Sequence, residues 1–364
     1  KENIDMAVIA VPAKFVEKVV LDCSKAKVKS CVIISSGFAE VGLAGKKLQE
    51  EVSQTLNRAG IALLGPNCLG IINPHQKLNA SFAPSIPEKG SIAFFSQSGA
   101  LIDSVIDKSL LENFGFSLLV SLGNEAGLAL TDFLQLAQKD NNTKAIAVYL
   151  EEIKNGQKFI EVAKSVSKTK PIVVLKGGKT PAGKKAVQSH TASLAGNEQI
   201  YSAAFKKAGV FEVETIEDLF LISRAMSLYP KVENLWAILT NGGAVGVITA
   251  DWCSKLGVKL AEIPKQVFEE IEKSQKVNAS FSKNNPLDVI GDATSNGYEI
   301  ALNLLLKQEK IKGVIFCQTL QTMTNPKENA KVIIEAQKKF SQKIILPLFL
   351  GGKTTKKGTD YLAK

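Results

Sequence analysis

The sequence predicts a doubly wound α/β protein built on parallel sheets. Two observations carry that prediction. Short β-branched runs alternate with stretches of helical length along the whole chain, and the runs are nearly continuously apolar. The first is the βαβα order of an α/β fold. The second is what strands covered by helices on both faces require.

The elements follow in order. Residues 7–11, 32–35, 61–64, 92–95, 145–150, 172–175, 237–240, 314–316 and 344–348 read as strands. Residues 197–208 read as one of the helices between them, with Ile200, Ala204 and Ala208 forming a stripe at a spacing of four. Prolines 74, 84 and 87 precede a fresh strand at Ile92, and residues 230–234 precede another at Leu235. The chain therefore divides into 1–87, 88–231 and 232–364. The first piece reads as an incomplete Rossmann-like domain, because it opens in a strand without the glycine-rich first βα unit. The central piece has the size of a flavodoxin-like unit. The ends read as cut, which predicts a fragment or one part of a larger assembly.

At 364 residues the chain is too long for one ordinary core, and its 45% hydrophobic content is enough for two or three. No apolar run reaches bilayer length and no signal pattern opens the chain. Five scattered cysteines with no CxxC argue against a disulfide framework or a structural zinc site, so a reducing cytoplasm is the natural compartment. The net charge of +10 comes from lysines spread along the chain. A nucleic-acid surface would need a clustered patch with interleaved aromatics.

Five segments could carry chemistry. His190, one of two histidines, lies in a polar glycine-rich stretch over 176–196, which predicts a mobile surface loop. Neutral imidazole is a good nucleophile near pH 7, and the small residues after it would let phosphate approach amides at the next helix start. The residues alone do not separate this from an exposed loop histidine without a role. Ser96-Gln97-Ser98-Gly99 follows a strand and opens a helix, so it reads as a phosphate cradle or an ordinary N-cap. Glu151 and Glu152 end a strand, where a carboxylate could fix an imidazole tautomer, or could simply be solvated. Gly65-Pro66-Asn67-Cys68 reads as a tight turn with Cys68 inert, and His75 as a turn residue. Asn241-Gly242-Gly243 reads as a tight turn with close helix packing. Gly178 to Lys184 fits GxxxxGK, but Lys185 stands where a Walker A motif needs Ser or Thr, and Gly352-Lys353-Thr354 has Pro347 at the first glycine position.

The order of these segments resembles the NDP-forming acyl-CoA synthetases, in particular the ADP-forming acetyl-CoA branch and, more distantly, the α subunit of succinyl-CoA synthetase. The motifs are AVIAVPAKF from Ala7, IISSGFAEVG from Ile33, GPNCLG from Gly65, FFSQSGAL from Phe94, YLEE from Tyr149, KGGKTPAGKKAVQSHTASLAG from Lys176, ILTNGG from Ile238 and NPLDVIGDAT from Asn285. The resemblance runs from about residue 7 to the end. It implies a CoA-binding Rossmann-like domain followed by two flavodoxin-like ligase domains. It also implies an acid–thiol ligase: acyl-CoA, phosphate and ADP give the carboxylic acid, CoA and ATP through an acyl phosphate and a phosphohistidine.

On that pattern His190 carries the phosphoryl group. Ser96, Gln97, Ser98 and Gly99 form one phosphate-binding helix start, and Thr191, Ala192 and Ser193 form the other. The orienting acid is Glu151 or Glu152, with Glu151 preferred. CoA contacts fall on Val11, Pro12, Ser35, Ser36 and Gly37, and Pro66 and Asn67 close the thioester end. No metal is expected on this chain. ATP or ADP with Mg belongs to an ATP-grasp β subunit or fused domain in a hetero-oligomer or fused dimer, so the chain alone is expected to make no ATP. The acid is expected to be acetate-like. A non-catalytic CoA-binding or regulatory module, as in an acetyltransferase fusion, is the alternative. A nicotinamide-dependent dehydrogenase is disfavoured by the missing GxGxxG and ribose-binding acid.

Overall fold

The computed structural model describes residues 4–191, 198–229 and 234–363, leaving out the side chains of 188–191. The chain forms two compact units, Lys1–Pro230 and Lys231–Lys364.

The first unit holds two sheets. Strands β1 (Met6–Ile9), β2 (Ser30–Ile33) and β3 (Ala62–Leu64) pair in parallel in that order, linked by helices α1 (Ala13–Lys25) and α2 (Leu43–Arg58). Val16, Val20, Ile33, Phe38, Val52 and Leu56 form their core. The second sheet contains β4 (Gly70–Asn73), β5 (Leu78–Ser81), β6 (Lys89–Ser96), β7 (Phe116–Ser121), β8 (Ala145–Leu150), β9 (Ile172–Lys176) and β10 (Phe211–Val213). Their order is β10-β9-β8-β6-β7-β4-β5, parallel except for the β4–β5 hairpin. That hairpin, grouped with the N-terminal piece in the sequence reading, bonds into the central sheet through β7. His75 sits in its turn, with Nε2 2.8 Å from the Gly90 carbonyl oxygen.

Helices α3 (Gly99–Glu112), α4 (Leu130–Lys139), α5 (Gly156–Ser167), α6 (Pro181–Thr191), α7 (Glu198–Ala208) and α8 (Ile216–Leu228) connect the parallel strands. They bury both faces of the sheet, which is why β7 and β9 are buried at every residue.

Two expectations are corrected here. The segment after β9 is not one long loop, because residues 181–191 are helical. Thr180 Oγ1 accepts the Gly183 N–H at 3.1 Å, and Pro181 takes the first helical position, where its missing N–H costs nothing. Thr191 consequently ends a helix rather than starting one. In α7 the inward stripe is the buried Phe205 and Ala208 with the half-buried Tyr201, while Ile200 is 69% exposed.

The second unit is a parallel sheet ordered β12-β11-β13-β14, from β11 (Trp236–Thr240), β12 (Leu287–Asp288), β13 (Gly313–Gln318) and β14 (Ile344–Phe349). Helices α9 (Gly243–Lys255), α10 (Lys265–Ser274), α11 (Ser295–Lys307), α12 (Pro326–Lys339) and α13 (Lys353–Leu362) complete it. Among the described residues, no helix is long and apolar enough to cross a membrane.

Candidate active site

Parallel strands bring their carboxyl ends to one edge, where open α/β sheets gather ligands. In the central sheet Ser96 stands level with Ser121 and Tyr149, and Leu150 with Lys176. The residues that follow these four strands therefore share one edge.

At the start of α3, Ser98 caps the helix and its Oγ accepts the Leu101 N–H at 3.4 Å. Ser96 Oγ accepts the Ser98 N–H at 3.0 Å and donates to the Ser98 carbonyl at 2.7 Å. The N–H groups of Gly99 and Ala100 make no hydrogen bond among the described residues. Ser121 Oγ is buried without a partner there, 3.6 Å from where a Cβ on Gly99 would lie. These are the free donors of a helix start, the arrangement that takes an anion.

Gln97 does something else. Its Oε1 accepts the N–H groups of Glu151 at 2.6 Å and Glu152 at 3.0 Å. Its Nε2 donates to Glu125 Oε1 at 2.6 Å and to the Glu152 carbonyl at 2.8 Å. The phosphate contact implied for Gln97 is thus corrected: its side-chain amide is fully engaged as a brace on the acidic turn, and its N–H is bonded to the Tyr149 carbonyl at 3.2 Å.

The two acids differ. Glu151 is only 7% exposed. Its Oε1 accepts the Tyr149 hydroxyl at 3.3 Å, and its Oε2 is buried without a partner among the described residues. Burial, then the Glu151 charge, push the Tyr149 phenol up to about 12, so it stays a donor. Glu152 is half-buried. Lys176, 5% exposed, donates to the Gly177 carbonyl and lies 4.6 Å from the centre of the Tyr201 ring. Burial holds its pKa below the usual lysine range, against the opposing pull of Glu151. The Tyr201 hydroxyl in turn accepts the Ile153 N–H at 3.3 Å.

The carboxyl ends of β1, β2 and β3 also share an edge, and the residues expected to contact CoA all follow them. Ser35 Oγ donates to the Val11 carbonyl, and the Asn67 N–H to the Ser35 carbonyl at 3.0 Å, which ties the three loops together. Pro12 caps α1, Ser36 is exposed, and Gly37 has φ of +104° with its N–H on Glu40 Oε1 at 2.6 Å. Pro66 follows a cis bond, and its carbonyl accepts the Asn124 N–H at 2.8 Å. Asn67 Nδ2 donates to Asn124 Oδ1 at 3.2 Å. The loop of residues 122–125 thus touches the CoA-side turn with Asn124 and reaches the acidic turn through the bond from Gln97 to Glu125. Cys68 is buried, donates to the Ile33 carbonyl at 3.3 Å, and burial pushes its thiol up to about 12, so it is no nucleophile.

Three families match consecutive stretches: a CoA binding domain over residues 1–74, a succinyl-CoA ligase like flavodoxin domain over 89–226 and a Ligase-CoA domain over 236–363. The acetate–CoA ligase [ADP-forming] II subunit alpha of Pyrococcus furiosus is 40% identical over 365 residues, covering 100% of this chain and 79% of that one. The chain belongs to the ADP-forming acetate–CoA ligase family. The acetate–CoA ligase [ADP-forming] I of Archaeoglobus fulgidus is 44% identical over 314 residues, 86% of this chain and 45% of its own length. The chain therefore spans about half of that relative. The acetyl-coenzyme A synthetase 1 of Ca. Korarchaeum cryptofilum, solved in complex with phosphate and ADP, superposes with a TM-score of 0.94 at 37% identity, over 100% of this chain and 79% of that one.

In this family member the described site comprises the α3 start, the acidic turn and the CoA-side loops. His190 falls within α6, but its side chain and that of Thr191 lie outside the described residues, as do Ala192 and Ser193. The sequence reading missed Ser121, Glu125, Tyr149 and Lys176. The second unit repeats the strand–turn–helix device: Asn241 locks onto Thr319 and Thr324, and a Cβ on Gly242 would lie 2.8 Å from Thr319 Cγ2. This is the tight turn the sequence predicts.

Proposed function

We propose that this chain is the CoA-binding, phosphohistidine-carrying part of an ADP-forming acyl-CoA ligase acting on an acetate-like acid. Phosphate attacks the thioester carbonyl of bound acyl-CoA, the carbon–sulfur bond breaks, and acyl phosphate and CoA form. An imidazole nitrogen of His190 then attacks phosphorus, and the carboxylate leaves with the bridging oxygen. ADP on an ATP-grasp partner subunit or fused domain, with Mg, accepts the phosphoryl group from His190.

One observation carries this reading: a buried carboxylate with an oxygen, Glu151 Oε2, that has no partner among the described residues, on the same sheet edge as a helix start whose first amides have none there either. A carboxylate so placed takes the N–H of an imidazole and leaves the other nitrogen as nucleophile. The free N–H groups of Gly99 and Ala100, with Ser121, suit the phosphoryl oxygens, since phosphoryl transfer needs positioning and charge stabilisation above all. Burial favours Glu151 over Glu152. Val11, Pro12, Ser35, Ser36 and Gly37 are the proposed CoA contacts, with Pro66 and Asn67 at the thioester end. Thr191, Ala192 and Ser193 remain proposed as a second set of phosphate contacts.

The test is phosphopeptide mass analysis after incubation with acetyl-CoA and phosphate. The expected result is acid-labile, base-stable phosphate on the peptide bearing His190, absent in His190→Ala. A chain that takes up no phosphate, either this way or from ATP with an ATP-grasp partner, is a CoA-binding module instead.

A further inference from the structure

The geometry points to Glu125 as a positioning residue for the Glu151-Glu152 turn, a role that rests on the reading of Glu151 as the acid orienting His190. Both Glu125 oxygens are used: Oε1 accepts from Gln97 Nε2 at 2.6 Å and Oε2 from the Leu130 N–H at 3.0 Å. The first bond admits only one way for the Gln97 amide to face, the one its bonds to the turn also use. A carboxylate only accepts, whereas a primary amide both donates and accepts. With Nε2 on Glu125, Gln97 Oε1 meets the N–H groups of Glu151 and Glu152. Turned over, the amide would set its NH2 against two N–H donors and its oxygen against a carboxylate and the Glu152 carbonyl. Glu125 therefore fixes the single orientation that clamps the acidic turn.

The same loop is fixed from the CoA side. The Asn124 N–H bonds the Pro66 carbonyl at 2.8 Å, and a Cβ on Gly123 would stand 2.2 Å from that oxygen. Lys154 holds the loop as well, donating to the Glu125 carbonyl at 3.2 Å. Glu125 thus sets the spacing between the turn proposed for the thioester end and the acid proposed to orient the imidazole.

The test uses the full chain and two variants. Glu125→Gln has a single acceptor oxygen for the two donors, Gln97 Nε2 and the Leu130 N–H, so one of the two bonds is lost and its NH2 faces a donor. Amide hydrogen exchange at Glu151 and Glu152 should quicken, and His190 phosphorylation from acetyl-CoA and phosphate should slow by about 100-fold, the scale of a small misplacement of a reacting group. CoA affinity by titration calorimetry should stay unchanged. The double variant Gln97→Glu/Glu125→Gln puts the acceptor-only group beside the two amides and the donor at position 125, at the expense of the bond to the Glu152 carbonyl, so it should recover part of both losses. Unchanged exchange in Glu125→Gln overturns the proposal. So does quickened exchange with undiminished phosphorylation, or a double variant no better than the single one. Exchange is read without any reaction, so a wild-type chain that takes up no phosphate sinks the parent reading by a separate route.

Discussion

The hydroxyl of Tyr149 lies 2.7 Å from where a Cβ on Gly177 would stand. Tyr149 is the last residue but one of β8 and Gly177 directly follows the neighbouring strand β9, and the Gly177 N–H donates to the Leu150 carbonyl at 2.9 Å. Only the missing side chain lets the phenol reach past the end of β9 to the Glu151 carboxylate.

Gly177→Ala should therefore destabilise the chain by about 1–3 kcal/mol, the usual cost of forcing an extra carbon into a packed site. It should also slow His190 phosphorylation. The coupling is specific. In a Tyr149→Phe background the clashing oxygen is gone, so the alanine should cost less than it does alone. Urea unfolding of the four chains of this double-mutant cycle measures the difference. Equal costs in both backgrounds would show that the phenol is not what Gly177 makes room for.

Tyr149→Phe by itself removes the one hydrogen bond that the Glu151 carboxylate accepts among the described residues. Leaving a buried acceptor unsatisfied costs about 1–3 kcal/mol. The phenol adds a pH signature. Its folded pKa is raised to about 12, so between the ordinary tyrosine range and that value the native chain holds a proton that the unfolded chain has lost. This part of the stability is present below about pH 10, the ordinary tyrosine pKa, and falls away as pH rises toward 12. The variant should lose less stability over that alkaline range than the wild type does, as read by unfolding at a series of pH values.

Lys176→Met keeps an unbranched side chain, one atom shorter, and removes its charge. Burial lowers the pKa of Lys176 while the charge of Glu151 pulls the other way, so the variant takes a cation away from the acid proposed to orient His190. His190 phosphorylation from acetyl-CoA and phosphate should slow, as read by phosphopeptide mass analysis. Undiminished phosphorylation would assign Lys176 to packing against Tyr201 alone.

The fold class was legible because burial on both faces writes itself into a strand as a continuous apolar run, as in Ala145–Leu150. Two readings failed for local reasons. Glycine and lysine around α6 suggested a loop, but Thr180 followed by Pro181 is a helix-start signal that outweighs composition. In α7 a spacing of four fits Ile200 as well as Tyr201. The choice came from tertiary packing, with Phe205 5.9 Å from Phe159 and Tyr201 under the Lys176 ammonium. The site was legible where strand, turn and helix start are adjacent in sequence, as at Ser96 to Gly99. Glu125 was not, because its meaning lies in partners on other strands. The Gly123-Asn124 step after β7 is the signal that could have marked its loop.

Glu40 supplies the acid-side prediction. Its Oε1 accepts the N–H groups of Gly37 at 2.6 Å and Phe38 at 3.1 Å, and its Oε2 accepts Asn124 Nδ2 at 2.6 Å. Burial works to raise its pKa, but the hydrogen bonds from Asn124 and these amides outweigh it and hold the carboxyl below the usual range. A depressed folded pKa means that the native state keeps Glu40 ionised where the unfolded state has taken up a proton. The stabilisation is therefore complete above the unfolded pKa and is lost as pH falls through the folded one. Because Glu40 is only half-buried, the loss in Glu40→Gln at neutral pH should be modest, about 1 kcal/mol. The gap between wild type and variant, followed by urea unfolding, should narrow as pH drops below about 4, the ordinary glutamate range. A gap independent of pH would mean that shape, rather than charge, holds Glu40 in the loop it shares with Gly37 and Asn124.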